Sequence, residues 1–95
     1  MARPPCTATL LHEDARVRVQ RFDFEPGAET GWHTHGHDYV IVAVTHCRML
    51  LEEPGGATRI AEFAPGDAYA RPTGVEHNVI NDGDAPMSFV ETELK

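Results

Sequence analysis

A chain of 95 residues with 41% hydrophobic residues can bury one core but is too short for two, so the sequence predicts a single domain over residues 1–95. Fifteen acidic residues against eight basic ones give a formal net charge of −7, which repels phosphate backbones and argues against a nucleic-acid partner. No apolar run reaches the ~20 residues of a membrane span and the N-terminus lacks a signal-peptide pattern, so we expect no membrane partner and a cytoplasmic location.

Short runs of Val, Ile, Phe, Tyr and Thr alternate with Pro and Gly, and no segment sustains helical spacing of apolar residues, so the sequence predicts an all-β fold. Residues 1–14 are expected to form an N-terminal arm or an edge segment. The predicted strands are Ala15–Phe24, Asp38–Glu52 with a bend, Thr58–Phe63, Asp67–Pro72, Glu76–Asn81 and Met87–Leu94. Hairpin turns are predicted at Glu53–Thr58 and Asn81–Pro86. Many short strands indicate a sandwich or barrel, and a homodimer sharing a sheet edge is expected because strand edges need pairing or closure.

The chain contains a short internal echo. The tetrapeptide "FEPG" at Phe24–Gly27 recurs as "FAPG" at Phe63–Gly66, and each copy is soon followed by a glycine and then a histidine. Two copies are too few for a propeller or a solenoid, which need at least about three stacked units. The echo is typical of a structure made of two similar halves.

Three histidines fall at alternate positions in "GWHTHGHDYV", and a tyrosine follows in the same rhythm. Successive strand residues point to opposite faces and advance roughly 3.3 Å, so His33 and His35 would face the same way. Two such imidazoles can converge on one ion at metal–nitrogen distances of about 2.0–2.1 Å, although short histidine clusters also occur in solvated loops. His77, in the second half of the echo, could supply a third imidazole from another strand.

The residues around His77 carry a family pattern. It consists of Gly, five residues, Pro-x-Gly, two residues, His, three residues and Asn, and it is met by Gly66, Pro72, Gly74, His77 and Asn81. With this motif the chain resembles a small single-domain cupin of the conserved-barrel type (cupin 2), and the resemblance covers nearly all of it. It implies an all-β, double-stranded β-helix, the jelly-roll barrel of cupins, as a single domain.

The first cupin motif is met only in part. Gly27, His33 and His35 match its first half, whereas Tyr39 stands where a metal-binding Glu is expected and His46 where a closing Gly is expected. The stretches "HTHGHDYVIV" and "GVEHNVIN" also resemble a group of short cupins linked with bacterial β-alanine breakdown, in which a Tyr likewise follows the His-x-His pair. That resemblance implies a metabolic context rather than a defined reaction.

The resemblance to cupins implies that His33, His35 and His77 bind a divalent metal inside the barrel. Iron, zinc, nickel and manganese all stay open, because imidazole accepts many transition metals. A neutral phenol with a pKa near ~10 is a poor ligand, so we expect a three-histidine site with Tyr39 as a catalytic hydrogen-bond donor to substrate. Tyr39 and His37 are the two alternatives for a fourth ligand, and a bulge after His35 would turn His37 to the surface or rim.

Other residues receive structural interpretations. Trp32 should face away from the metal, into the core or a dimer contact, and His12 and His46 are expected to be exposed. Arg48 and Arg71 are expected on the solvated surface, with an anionic substrate as the alternative partner. Candidates for core or pocket lining are Phe22, Phe24, Ile41, Met49, Leu51, Tyr69, Val79 and Phe89. The two cysteines, without a metal-type spacing, are expected to be reduced.

Three classes of function are compatible with these features. The chain could be a metal-dependent enzyme, either a dioxygenase or an isomerase or lyase, that acts on a small polar metabolite. It could be a non-catalytic metal-binding or small-molecule-sensing barrel, or a structural jelly roll with vestigial histidines. Among enzymes, oxygen chemistry gains from the absence of Glu or Lys at a motif position, because oxygen activation depends on open metal coordination more than on a protein base. We therefore expect a metal-dependent enzyme, with the sensing barrel as the alternative.

Overall fold

The computed structural model describes residues 2–95, which form two antiparallel sheets and confirm the all-β prediction. The strands of this part of the chain are β1 Thr7–Glu13, β2 Val17–Phe24, β3 His33–Thr34, β4 Asp38–Ala43, β5 Cys47–Glu52, β6 Thr58–Phe63, β7 Ala68–Arg71, β8 Glu76–Asn81 and β9 Met87–Leu94. One sheet has the order β1-β2-β9-β4-β7 and the other the order β3-β8-β5-β6. Residues 2–95 contain no helix long and apolar enough to cross a membrane.

Two details of the predicted strands are corrected by the structure. The single bent strand predicted over Asp38–Glu52 is two strands in the structure, because β4 ends at Ala43 in one sheet and β5 begins at Cys47 in the other. The backbone N–H groups of Val44 and Thr45 both donate to the carbonyl of Ser88, which holds the chain at this crossing. The turn at Asn81–Pro86 is not a hairpin, since β8 and β9 belong to different sheets.

The hairpin predicted at Glu53–Thr58 is confirmed. Strands β5 and β6 pair antiparallel on either side of it, and a short 3-10 turn at Pro54–Gly56 joins them. Strand β1 lies at the edge of the five-stranded sheet, paired only with β2, and all of its residues are exposed. Because β1 has no buried face, its sequence lacks the alternation of apolar and polar residues that predicts a half-buried strand.

The internal echo corresponds to two equivalent turns. In the first, the N–H of Ala28 donates to the carbonyl of Glu25, and in the second the N–H of Asp67 donates to the carbonyl of Ala64. Each has Pro at the second position and a glycine with positive φ at the third, 82° for Gly27 and 88° for Gly66, as a type II turn requires. The histidine-bearing strands that follow these turns, β3 and β8, pair with each other.

The apolar core fills only part of the space between the sheets. The rings of Phe22 and Phe24 each lie with their centroids 5.4 Å from that of Phe89, and these residues pack with the predicted core residues Ile41, Met49, Leu51, Tyr69 and Val79. Along β9, however, the inward-facing residues change from Met87 and Phe89 to Glu91. The sheet interior thus becomes polar on the side where the histidines lie.

We predict that Asn81→Ala lowers the free energy of unfolding by about 2–4 kcal/mol, because it removes a buried polar network. The Asn81 side chain is 2% exposed, donates from Nδ2 to the carbonyls of Phe24 and Ala85, and accepts from the N–H of Gly83. Chemical denaturation checks this, with the exposed Asp84→Ala as a matched control. Equal unfolding midpoints for the two variants would contradict this role for the amide.

Candidate metal centre

The three histidines are positioned by the pairing of β3 with β8. His33 lies opposite His77 in the register, and the N–H of His35 donates to the carbonyl of Val75 at 2.8 Å, which extends the pairing beyond the end of β3. Thr34 is exposed, whereas His33 is half-buried and His35 and His77 are buried. The alternation expected for His-x-His is therefore present, and it directs three imidazoles into the barrel.

A hydrogen-bonded loop orients the ring of His33. Its Nδ1 lies 2.8 Å from the carbonyl oxygen of Gly31, which can only accept, so Nδ1 carries the proton and Nε2 keeps its lone pair. The side-chain oxygen of Asn78 accepts from the N–H of Gly31 at 3.0 Å, and its amide nitrogen donates to Glu29 at 2.7 Å and to Glu52 at 2.9 Å. Asn78 thus anchors the loop that sets the tautomer of His33, a role that we had not predicted.

The three Nε2 atoms face one another at short range. They are separated by 3.0 Å between His33 and His35 and by 3.1 Å between His35 and His77. Metal–nitrogen bonds of about 2.0–2.1 Å would separate two ligands by about 3.0 Å at a right angle and by about 3.4 Å at a tetrahedral angle. The possible ligand atoms of these three histidines all lie within 4.8 Å of one another, which is close enough to hold one metal ion. The donor set and its spacing therefore fit a divalent transition metal.

The protonation states favour the same conclusion. Burial, followed by the charges of His33 and Arg71, lowers the pKa of His35 to about 4. Burial and the neighbouring histidines lower the pKa of His77 to about 3. Both rings are consequently neutral at physiological pH, which is the form in which imidazole binds a metal.

Tyr39 contacts the histidine group through its ring. The ring stacks on that of His35 with 3.8 Å between centroids and an interplanar angle of 16°, and the residue is 2% exposed. Its hydroxyl is buried without a hydrogen-bond partner, and burial raises its pKa to about 12. The phenol therefore stays protonated, and the ring that stacks on His35 carries an unused hydrogen-bond donor. Whether Tyr39 or His37 completes the ligand set stays a prediction.

The remaining histidines and the tryptophan lie away from this group. His37 is half-buried and does not line the cavity onto which the three histidines face. His12 and His46 are exposed, as predicted, and contact Asp14 at 2.9 Å and Glu62 at 2.8 Å. The core position offered for Trp32 is wrong: the residue is 51% exposed, and its Nε1 donates to Glu76 at 2.7 Å.

A cavity of about 320 Å³ opens onto the histidines and contains a carboxyl group that the sequence analysis missed. Glu91 lines this cavity, is 7% exposed, and has an oxygen 3.9 Å from Nδ1 of His35. Burial, and then the adjacent Glu93, raise the pKa of Glu91 to about 7. The signal was present in the sequence, because Glu91 shares the parity of Met87 and Phe89 on a strand whose alternate residues are apolar.

These features agree with the comparison to known families. The Cupin domain family (Cupin_2) matches residues 20–93, and the chain belongs to this family. It is 50% identical over 93 residues to the β-alanine degradation protein BauB of Pseudomonas aeruginosa, an alignment that spans 98% of this chain and 97% of the relative. The predicted resemblance to short cupins linked with β-alanine breakdown is thereby confirmed.

Two further proteins are similar to this chain. The structure matches a cupin domain protein from Bordetella pertussis with a TM-score of 0.95 and 46% identity, over 100% of this chain and 98% of that one. An (R)-mandelonitrile lyase from Granulicella tundricola is 35% identical over 65 residues, which span 68% of this chain and 47% of the lyase. At least one protein named as an enzyme is thus similar to this chain over about two thirds of the chain, and the alignment spans less than half of that enzyme.

We predict that Tyr39→Phe leaves the metal-free protein at least as stable as the wild type. The substitution removes a buried hydroxyl that has no partner and keeps the ring stacked on His35, so it removes a desolvation cost of about 1–3 kcal/mol. Thermal and chemical unfolding check the prediction. A loss of more than about 1 kcal/mol would contradict it, because that would mean that the hydroxyl makes a favourable hydrogen bond.

Proposed function

We propose that this protein is a metal-dependent enzyme that binds one divalent ion through His33, His35 and His77 and acts on a small polar metabolite. The observation that carries the proposal is the inward convergence of three imidazoles at the wall of a cavity, where Nε2 of His35 lies 3.0 Å from Nε2 of His33 and 3.1 Å from Nε2 of His77. When bound, the ion would supply a Lewis acid and a template for substrate. Three protein ligands are the number typical of catalytic zinc sites, in which further positions are left to water or substrate.

The cavity has the dimensions and lining of a small-molecule site. Its volume of about 320 Å³ falls at the lower end of the range for ligand pockets, roughly 300–1,000 Å³. Ile41, Val79 and Phe89 form an apolar wall, and most of the other lining residues are polar, Glu91 and Glu93 among them. Such a lining would orient a compact polar substrate against the imidazoles.

Tyr39 is proposed to donate a hydrogen bond to the bound substrate. Its hydroxyl is a buried donor with no partner in the protein, and its raised pKa keeps the proton on the oxygen. A donor held ready in this way stabilises negative charge that develops on a substrate oxygen. The stacking of its ring on His35 holds it close to the histidine group.

The reaction class is proposed from the relatives and from the cavity. The sequence argument for a dioxygenase depended on the absence of a protein base near the metal, and Glu91 removes that argument because its carboxyl lines the cavity. The similarity to a lyase and to a protein named for β-alanine degradation supports lyase or isomerase chemistry on a small amino-acid-derived metabolite. The alternatives to this proposal are a dioxygenase and a non-catalytic sensing barrel, and the experiments that follow distinguish the three.

We predict that His77→Ala abolishes stoichiometric metal binding, because only two imidazoles then face each other. His37→Ala is the matched control, since His37 lies outside the group of three and should keep one ion per chain. Elemental analysis of tag-free protein reloaded with Fe(II), Zn(II), Ni(II) or Mn(II) makes the measurement. Unchanged stoichiometry in His77→Ala would contradict the proposed site.

We predict that Tyr39→Phe retains the metal but loses at least about tenfold in turnover, as loss of a transition-state hydrogen bond requires. The assay follows oxygen uptake and product formation from small amino, hydroxy and keto acids by the anaerobically loaded enzyme. Turnover without oxygen uptake supports the lyase or isomerase class, and substrate-dependent uptake would instead establish a dioxygenase. Stoichiometric metal with no turnover of any kind would contradict catalysis and favour the sensing barrel.

A further inference from the structure

The wall of the cavity formed by β9 carries two carboxyl groups side by side. Glu91 and Glu93 both line the cavity, and in the sheet they lie opposite Gln20 and Arg18 of β2 and opposite Ile41 and Tyr39 of β4. Within residues 2–95, no Lys or Arg lines the cavity. The side chains that surround a bound molecule are therefore acidic, neutral or imidazole.

Neither carboxyl has a cationic partner in the protein. The nearest basic atom to Glu91 is Nδ1 of His35 at 3.9 Å, which is too long for a hydrogen bond. Arg18 lies opposite Glu93 and its charge acts to lower the pKa of Glu91, yet the described residues show no N–O contact within 4.0 Å between Arg18 and either carboxyl. Two neighbouring carboxyl groups that are partly removed from water disfavour each other's charged form, so a bound cation would stabilise the charged form of both.

A second, independent feature of the same cavity also indicates a polar ligand. The hydroxyl of Tyr39 is buried without a partner in a residue that is 2% exposed and lines the cavity. Buried polar groups in native proteins are nearly always hydrogen-bonded, and an exception calls for a missing partner. A substrate that reached both Tyr39 and the carboxyls would supply it.

We propose that Glu91 and Glu93 form a subsite for the ammonium group of a small primary amine whose opposite end faces His33, His35 and His77. This inference deepens the proposed function and depends on it for the orientation of the substrate. A second divalent metal fits these carboxyls less well, because hard cations take six or more oxygen ligands and two carboxyls provide too few. An ammonium group has three N–H donors, which two carboxylates can accept with normal geometry.

The geometry also limits the length of the substrate. Glu91 lies next to His35, and Glu93 is one inward-facing position, roughly 7 Å, further along the strand. An amine held between them is only a few bonds away from a group that faces the imidazoles. Short ω-amino acids and amino alcohols have this length.

Calorimetric titration of the zinc-loaded protein with 3-aminopropanoate and its isostere 3-hydroxypropanoate tests the subsite. These two probes differ only in the group that would contact the carboxyls. We expect the amine to bind at least about tenfold more tightly to the wild type, and Glu91→Gln and Glu93→Gln each to reduce that preference severalfold. Glu62→Gln is the matched control, since Glu62 is exposed on β6 and should leave the preference unchanged.

Several outcomes would overturn the subsite. These are equal binding of the two probes, tighter binding of the hydroxy acid, a preference that survives in both variants, and no binding of the amine by ~50 mM. Metal content is measured on every sample before titration. Protein that takes up no zinc contradicts the proposed metal site, whereas zinc-loaded protein without amine preference contradicts the subsite alone.

Discussion

The pairing of β3 with β8 is the constraint on which the site depends. Only two residues of β3 are in strand conformation, yet this short pairing places His33 opposite His77 and brings His35 beside them. A slip of one residue would turn the histidines to the other face, because strand side chains alternate. Gly74 helps to fix the register: its N–H donates to the carbonyl of His35 from a backbone with φ of 95°, which favours glycine.

The five-stranded sheet forms the other wall of the interior, and its inward-facing residues change from apolar to acidic along β9. Phe89 packs with aromatic neighbours and closes one side of the interior, and two positions later Glu91 faces the cavity. The apolar side contributes the burial energy of a small domain, while the polar side keeps groups that would be costly in a sealed core. The unpartnered hydroxyl of Tyr39 lies in a residue that lines this polar side of the cavity.

Much of the site could be predicted from sequence because it depends on local rules. Alternation on a strand predicted that His33 and His35 share a face, and the resemblance carried by the spaced Gly and Pro residues added His77; the structure brings the three side chains together. Glu91 was missed because "ETE" at the end of a strand is typical of a solvated edge, although its parity with Met87 and Phe89 places it on the inward face. The break between β4 and β5 was missed for a similar reason, since Val44, Thr45 and His46 contain no Gly or Pro, and the crossing is held by Ser88 from a distant strand.

The most direct test of the account is nitrogen-15 NMR of histidine-labelled protein during titration with zinc. The chain has six histidines, and binding through nitrogen shifts the resonance of each coordinated ring. We expect the Nε2 signals of His33, His35 and His77 to shift together and to saturate at one zinc per chain, while His12, His37 and His46 keep their signals. Saturation without a shift of His77, or separate zinc sites for the three histidines, would contradict it.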